Sequence, residues 1–353
     1  MKKGIVIFYF LGLFLNVIAP AEAEEVIQTD DRFMTRKTEL TLPVSPRARI
    51  AISSARHLIG KINVIADNPD QVLFQYKKVL KVPRQSLAID YAELIDVSIE
   101  KTPTGAKLIF KAPNPAPWSG TDNSASIEGE LHLPDNITLE VSAEYFDLNI
   151  VGPLRAVENL SSFGRMEVEK ITERLNLSTS NQDIIATGVS GDIFLATTNA
   201  DIRVENMKSG ATPAQLRNQS GNVVVATASG ALDIKNSYGK IRLEDIHLTL
   251  PGSRVIDSYG PIRMMLAEAK QATLEVSNTN DDVELEVSPD INASFLLSVD
   301  SDGEISAEGL MMEPTEVMKN RLRFTSGSGG ADISVKISGD GNISLKGTAA
   351  GGK

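Results

Sequence analysis

The chain of 353 residues is 42% hydrophobic and 23% charged, too apolar for a disordered tail and long enough to bury a large core. Its 46 acidic against 35 basic residues leave a formal charge of −11, so it lacks the basic footprint that nucleic acid or an anionic membrane surface selects. It has no cysteine, which excludes disulfides, thiolate metal sites and thiol nucleophiles, and His57, His132 and His247 stand isolated, outside any metal-ligand spacing.

The first segment reads as a leader rather than as part of a fold. Lys2 and Lys3 give a positive start, an uncharged apolar run follows from Gly4 to Ala19, and Ala21 and Ala23 place small residues where a signal peptidase reads. The expected signal peptide is 1–23, followed by a linker over 24–39. No later stretch is apolar for 18 residues, so no membrane span is expected once the leader is removed. An exported chain without cysteine suits a bacterium, in the periplasm or at the cell surface.

Residues 40–111 carry strands and a short helical cap. Ala48-Arg-Ile50-Ala-Ile52 and Gly60-Lys-Ile62-Asn-Val64 alternate apolar and polar positions, and Val72 and Phe74 follow. Over 84–95, Leu87, Tyr91, Leu94 and Ile95 fall at helical spacing instead. The stretch 112–126, with Pro113, Pro115, Pro117 and Trp118, reads as a loop.

From 127 to 346 one five-residue phrase dominates: two small or polar residues, then apolar–any–apolar. It begins at Gly164, Glu173, Gln182, Gly191 and Ala200, nine residues apart each time. It resumes at Gly221, Gly230 and Gly239, and then spacings of nine and twelve alternate through Pro251, Gly260, Ala272, Asp281 and Ala293. Along one strand the side chain at i+9 points to the opposite face from i, so a phrase that returns every nine residues with the same inward pair needs a corner between copies. Gly, Asn, Asp and Ser fill those gaps, and these residues accept corner geometry. One copy buries only two apolar side chains, which cannot offset the cost of ordering its backbone, so copies must stack. The expected fold is all-β: a right-handed β-solenoid of short repeated strands, β-helix-like, with a small N-terminal helical or irregular cap. Two copies per turn give 18–21 residues and three give 27–33, and the pattern leaves both open. The segment from Gly309 to Asn320, with Met311, Met312 and Met318, is irregular and reads as core filler or an apolar lid. Residues 347–353 read as a flexible tail.

Three pieces of this pattern resemble a known family: Gly60-Lys-Ile62-Asn-Val64 followed by Asp70-Gln-Val72; Gly191-Asp-Ile193-Phe-Leu195 with the lead-ins Ser220-Gly221, Tyr238-Gly239 and Tyr259-Gly260; and Ala331-Asp-Ile333-Ser-Val335 before Gly341-Asn-Ile343-Ser-Leu345. The chain is similar, over roughly 40–346, to the bacterial putative-adhesin domain, an adhesin-like β-strand-repeat family of unknown function. The resemblance implies an envelope or extracellular coil and carries over no catalytic residue.

Chemistry-bearing motifs are sparse. The acidic stretches at Asp281-Asp282 and Asp300 to Glu304 lack the oxygen spacing of a calcium loop. Outward strand positions such as Arg203, Asp233, Arg242, Arg263, Glu275 and Glu284 mix signs without a paired carboxylate. No cofactor is therefore expected. Two surface patches stand out: Ile185, Phe194 and Val224, apolar at outward positions, as a partner patch, and Lys77, Lys78, Lys81 and Arg84 as a patch for an anionic ligand. The sequence thus reads as an exported, non-catalytic binding or scaffold module of the cell envelope, its partner an envelope protein or a glycan. The alternatives are a β-helix enzyme acting on polysaccharide and a self-associating structural protein.

Overall fold

The computed structural model describes residues 25–159, 163–300 and 302–348; the expected leader and the last five residues of the expected tail lie outside them. Among the described residues, 28 strands join in one sheet, with a single helix. The first strands are β1 (Val26–Thr29), β2 (Arg32–Thr35), β3 (Thr38–Pro43), β4 (Arg49–Ser54), β5 (Ile59–Ala66) and β6 (Gln71–Lys81). After them come α1 (Gln85–Glu93), β7 (Asp96–Thr102), β8 (Gly105–Lys111) and β9 (Ser124–Leu133). The phrases at Ile50 and Ile62 are β4 and β5, and the helical spacing over 84–95 is α1. Val72 and Phe74, however, sit on β6, which runs antiparallel to β2, β3 and β9 rather than continuing a coil. The expected loop is shorter than 112–126, because its last residues already belong to β9.

The coil itself begins with β10 (Thr138–Ser142), β11 (Tyr145–Asn159), β12 (Met166–Ser178), β13 (Ile184–Ala196), β14 (Ile202–Ser209) and β15 (Ala214–Arg217). It continues through β16 (Val223–Gly230), β17 (Leu232–Lys235), β18 (Ile241–Leu248), β19 (Ser253–Asp257), β20 (Ile262–Ala269), β21 (Thr273–Asn278) and β22 (Val283–Val287). Every ladder among these strands is parallel. Met166 pairs with Ile184, Ile184 with Ile202, Ile202 with Val223, Val223 with Ile241, Ile241 with Ile262 and Ile262 with Val283. One turn is therefore 18 or 21 residues, which settles the repeat at two phrases per turn.

A representative turn shows how nine residues reverse a face. Ile184 and Ala186 point inward from the front face; Gly188, with φ +63°, makes a one-residue corner; Val189 points inward from a short side. Ile193 and Leu195 then point inward from the back face, and a five-residue turn leads to the next front strand. The same corner is held at positive φ by Lys170, Asn206, Thr227 and Asp245 in neighbouring turns. The twelve-residue spacings are three-residue insertions between the short side and the back face, before Ala214, Ser253 and Thr273. β15 is a further copy of the phrase, hidden in the sequence because Pro213 stands in place of its second small or polar residue.

The last strands are β23 (Ala293–Val299), β24 (Ile305–Glu308), β25 (Glu313–Met318), β26 (Arg321–Ser326), β27 (Ala331–Ile337) and β28 (Ile343–Gly347). They do not stack in chain order. β27 and β28 lie directly on β21 and β22, while β23 and β24 lie one turn further out, on the other side of β27 and β28. The chain skips a rung, builds the outer one, and returns to fill the gap. The opposite end has the same arrangement: β4 and β5 lie between β10–β11 and the later-formed outer pair β8 and β9.

Antiparallel strands and aromatic side chains close both ends. β26 covers β23, with Phe324 stacked on Phe295 at 4.8 Å, and β25 covers β26. At the other end β7 covers β8, β6 covers β9, and Phe74, Phe110 and Phe146 pack in series at 5.6 and 5.1 Å. The methionine segment is not core: Met311 is 78% exposed and Met318 60%, because β25 is the outermost strand of its hairpin.

Candidate functional site

The turns that join each back strand to the next front strand form a continuous ridge down the coil. Each opens with a buried polar residue: Thr179, Thr197, Asn218, Asn236, Asp257 and Asn278 occupy the same place in successive rungs. These side chains serve the backbone groups that a sharp turn leaves unpaired. Asn218 Nδ2 donates to the Ala200 carbonyl at 2.8 Å, and its Oδ1 accepts from Gln219 N–H at 2.7 Å. Asn278 Nδ2 donates to the Gly260 carbonyl at 2.8 Å. Asp257 Oδ1 accepts from the N–H groups of Ser258, Tyr259 and Gly260 at 2.6, 3.1 and 3.0 Å. Burial raises the Asp257 carboxyl above the ordinary aspartate range, against those three N–H groups and the neighbouring Asn236 side chain, which favour its charged form.

The turns also bond to one another. Asn199, Ser220, Tyr238, Tyr259 and Asn280 each donate a backbone N–H to the rung before, to the carbonyls of Ser180, Thr198, Gln219, Ser237 and Ser258, at 2.9–3.0 Å. The outermost side chains of the ridge are thus Asn181, Asn199, Ser220, Tyr238, Tyr259 and Asn280, one per rung. Beside them run Ser180, Thr198, Gln219, Ser237, Ser258 and Thr279. Behind the tyrosines the backbones touch: a Cβ on Gly239 would lie 2.0 Å from the Gly221 carbonyl oxygen, and one on Gly260 1.9 Å from that of Gly239. Only glycine fits there. Tyr238 and Tyr259 are thereby held with parallel rings, 5.1 Å apart at 6°, yet they remain 61% and 54% exposed. In the sequence these residues stand out only as Tyr-Gly lead-ins to strands. The signal that marks them as a site is their equal place in two successive phrases.

At the front edge of the ridge a second ladder carries charge. Asp183 accepts the Asp201 N–H at 3.0 Å, Asp201 accepts the Asn222 N–H at 2.9 Å, and Asn222 Oδ1 accepts the Lys240 N–H at 3.1 Å. Arg203 bridges Asp183 and Asp201. Burial pushes the Asp183 carboxyl up, but the Asp201 N–H, Arg203 and Arg165 together hold it below its ordinary value. Asp282 belongs to the same system, accepting from both Asn342 N–H and Asn342 Nδ2. Among the described residues no three His, Asp or Glu side chains are grouped to hold a metal ion.

The two expected patches are placed differently. Ile185 and Val224 share the front face, half-buried, with Arg203 between them in register, whereas Phe194 lies on the back face. The structure therefore does not bring the three together. Of the basic residues, Lys78 is 5% exposed and its Nζ donates to the Ala92 carbonyl of α1 at 2.8 Å, because on β6 its side chain faces the helix. Lys77 stands opposite Glu128, Lys81 meets Asp31 at 3.3 Å, and Arg84 is the exposed residue before α1. A shallow groove of about 660 Å³ on the back face is lined by Asp233, Arg254, Glu275, Arg323 and Asp332. In it Asp233 pairs with Arg217 and Glu275 with Arg254.

Residues 135–296 match the Toastrack DUF4097 family. That segment is similar to a Toastrack domain. It covers β10 to β22 and the start of β23, which includes the whole tyrosine ridge, and it bears out the expected resemblance to the bacterial putative-adhesin family. Among solved structures the chain is similar to a putative cell adhesion protein from Clostridium sporogenes, at 11% identity and TM-score 0.22 over 88% of this chain and 99% of that one. It is also similar to a putative adhesin from Parabacteroides merdae, at 9% identity and TM-score 0.37 over 88% and 95%. A third is a putative lipid binding protein from Parabacteroides distasonis, at 11% and 0.29 over 87% and 96%. Among curated proteins none matches.

Proposed function

We propose that this protein is an exported, non-catalytic binding module of the bacterial cell envelope. Its leader over residues 1–23 is removed at export, and its coil is right-handed, following the general rule for parallel crossovers. The observation that carries the reading is the ridge. A stack of turns, each bonded to the last, holds two parallel tyrosine rings open to solvent on a scaffold that has little freedom to collapse onto them. Exposed aromatic groups fixed by their neighbours are what a binding surface needs, since a partner then loses little entropy in ordering the site. Charge on the strand faces is arranged across rungs as ion pairs, such as Arg254 with Glu275 at 3.0 Å and Arg263 with Glu286 at 2.8 Å, which suits a stable scaffold.

The test is fractionation of cells carrying the tagged full chain, together with sedimentation of purified protein with isolated envelopes. The expected result is mature protein lacking the leader in the periplasmic or surface fraction, and its depletion from solution by envelopes. Retention of the whole chain in the cytoplasm would overturn the reading.

A further inference from the structure

The structure assigns the ridge a ligand class: we propose that it binds an uncharged polysaccharide, with sugar rings seated against Tyr238 and Tyr259. This rests on the binding-module reading and narrows it to one kind of partner. Three observations carry it.

The first is charge. In a chain that is 23% charged, the two outward rows of the ridge contain hydroxyls, amides and phenols alone over six successive rungs. Charged side chains resume on both flanks of these two rows, with Asp183, Asp201, Lys240 and Asp281 toward the front face and Arg217 and Lys235 toward the back face. A surface selected merely for solubility would carry the chain's ordinary share of Lys and Glu here. Neutral donors and acceptors match a partner that offers hydroxyls and no charge, and they would leave the carboxylates of an acidic polymer unpaired.

The second is shape. The tyrosine rings face each other too closely to admit anything between them, but the outer face of Tyr238 looks toward Ser220, the short residue one rung before. Serine cannot cover an aromatic face, and the 61% exposure of Tyr238 records the opening. The C–H face of a pyranose is the flat, weakly apolar surface that packs on such a ring while its hydroxyls turn outward. Asn199 and Gln219 flank this opening with amides, which donate and accept equally well.

The third is the state of the backbone. A peptide partner would be held by a free strand edge or an apolar pocket. In the ridge the backbone N–H groups are spent on the preceding rung and on the buried Asn218 and Asp257 side chains, so side chains do the recognising. Six rungs at a strand spacing of about 4.8 Å give a platform of about 24 Å, so the partner is a chain of sugars rather than one ring.

The experiment is calorimetric titration of the purified full chain with neutral hexasaccharides of β-1,4-glucose, β-1,3-glucose, α-1,6-mannose and β-1,4-N-acetylglucosamine, with polygalacturonate as the charged counterpart. At least one neutral hexamer should bind. Tyr238→Ala should weaken it about tenfold, Tyr238→Phe should keep most of the affinity, and Ser220→Lys, which covers the open ring face, should abolish it. Far-UV dichroism and the thermal midpoint of each variant report folding separately, and the exposed rings predict little change. Failure of every neutral hexamer, binding of polygalacturonate alone, or full binding by the Tyr238→Ala, Tyr259→Ala double variant would overturn the proposal. Depletion by envelopes that persists in that double variant would leave the binding-module reading standing and remove the glycan from this ridge, whereas a cytoplasmic chain would remove the broader reading.

Discussion

At the scale of single residues, the ridge owes its order to one buried polar side chain per rung, and Asp257 is the costly member of the row. Its neighbours in the same place, Asn218, Asn236 and Asn278, are amides, while Asp257 is 1% exposed and its Oδ2 has no hydrogen-bond partner. The folded chain therefore holds the Asp257 proton at a pH where the unfolded chain has released it. The sign follows: this group's contribution to stability is fully present below the unfolded aspartate value, about 3.9, and is lost as pH rises through the higher folded value. Asp257→Asn keeps an acceptor for the three turn N–H groups and removes the charge. It should stabilise the protein by about 1 kcal/mol at pH 7 and by less at pH 4, read as the difference in urea midpoints. Asp183 runs the other way. Its lowered carboxyl contributes stability above the ordinary aspartate range that is lost as pH falls through the depressed value, and Arg203→Ala should shrink that acid-labile part. Thr227 marks a different cost. It is β-branched and sits at φ +63°, where the equivalent residue one turn away is Asn206 and two turns away Gly188. Thr227→Asn should gain about 1 kcal/mol in the same urea assay.

At the scale of the repeated element, stacking demands that backbones approach wherever a turn sits on the one before it. Gly239 lies between the Gly221 backbone and the Gly260 turn, so a methyl group has nowhere to go except into a carbonyl oxygen. Gly239→Ala should destabilise by about 3 kcal/mol, seen as a lower urea midpoint. It should also misalign the Tyr238 and Tyr259 rings, whereas Gly188→Ala should cost less because its nearest contact is 4.0 Å away. This element was largely legible in the chain. Alternation at Ile193 and Leu195 and the return of the phrase nine residues later required strands separated by corners, and the Tyr-Gly pairs marked where a turn begins. The number of sides was not legible, because the short side holds a single inward residue, such as Val189 or Met207, between two phrases, too brief to show a period of its own. Nor were the positive-φ corners at Lys170 and Thr227, since those residue types do not announce that geometry. Lys78 misled for a related reason. A strand pattern gives the face a lysine points to, but not that α1 lies over that face with the Ala92 carbonyl free to accept its ammonium.

Across the whole molecule, the order in which rungs are filled matters more than their number. In a simple coil the last rung frays first, because it touches a single neighbour. Here β27 and β28, near the end of the chain, are held between two rungs, and the outer rung comes from the earlier strands β23 and β24. No sequence pattern gives this away: the phrases at Ala293 and Ala331 look alike, and only the thirty-odd residues between them, which carry β24, β25 and β26, let the chain reach out and return. A chain ended at Ser326 would lose both interfaces of the inner rung. β23 to β26 would be left without parallel partners, so limited proteolysis should release the segment after Val287 while the coil up to β22 survives. The hairpin itself has a separate duty. β26 covers the backbone edge of β23, and an uncovered parallel edge is a template for a second copy. Replacing residues 309–326 with a short Gly-Ser linker keeps every parallel ladder but bares that edge. The variant should stay folded by dichroism yet associate with rising concentration in sedimentation velocity, while the intact chain does not. Equal self-association by both chains would mean that the hairpin protects nothing, and that the ends of this coil are built to join.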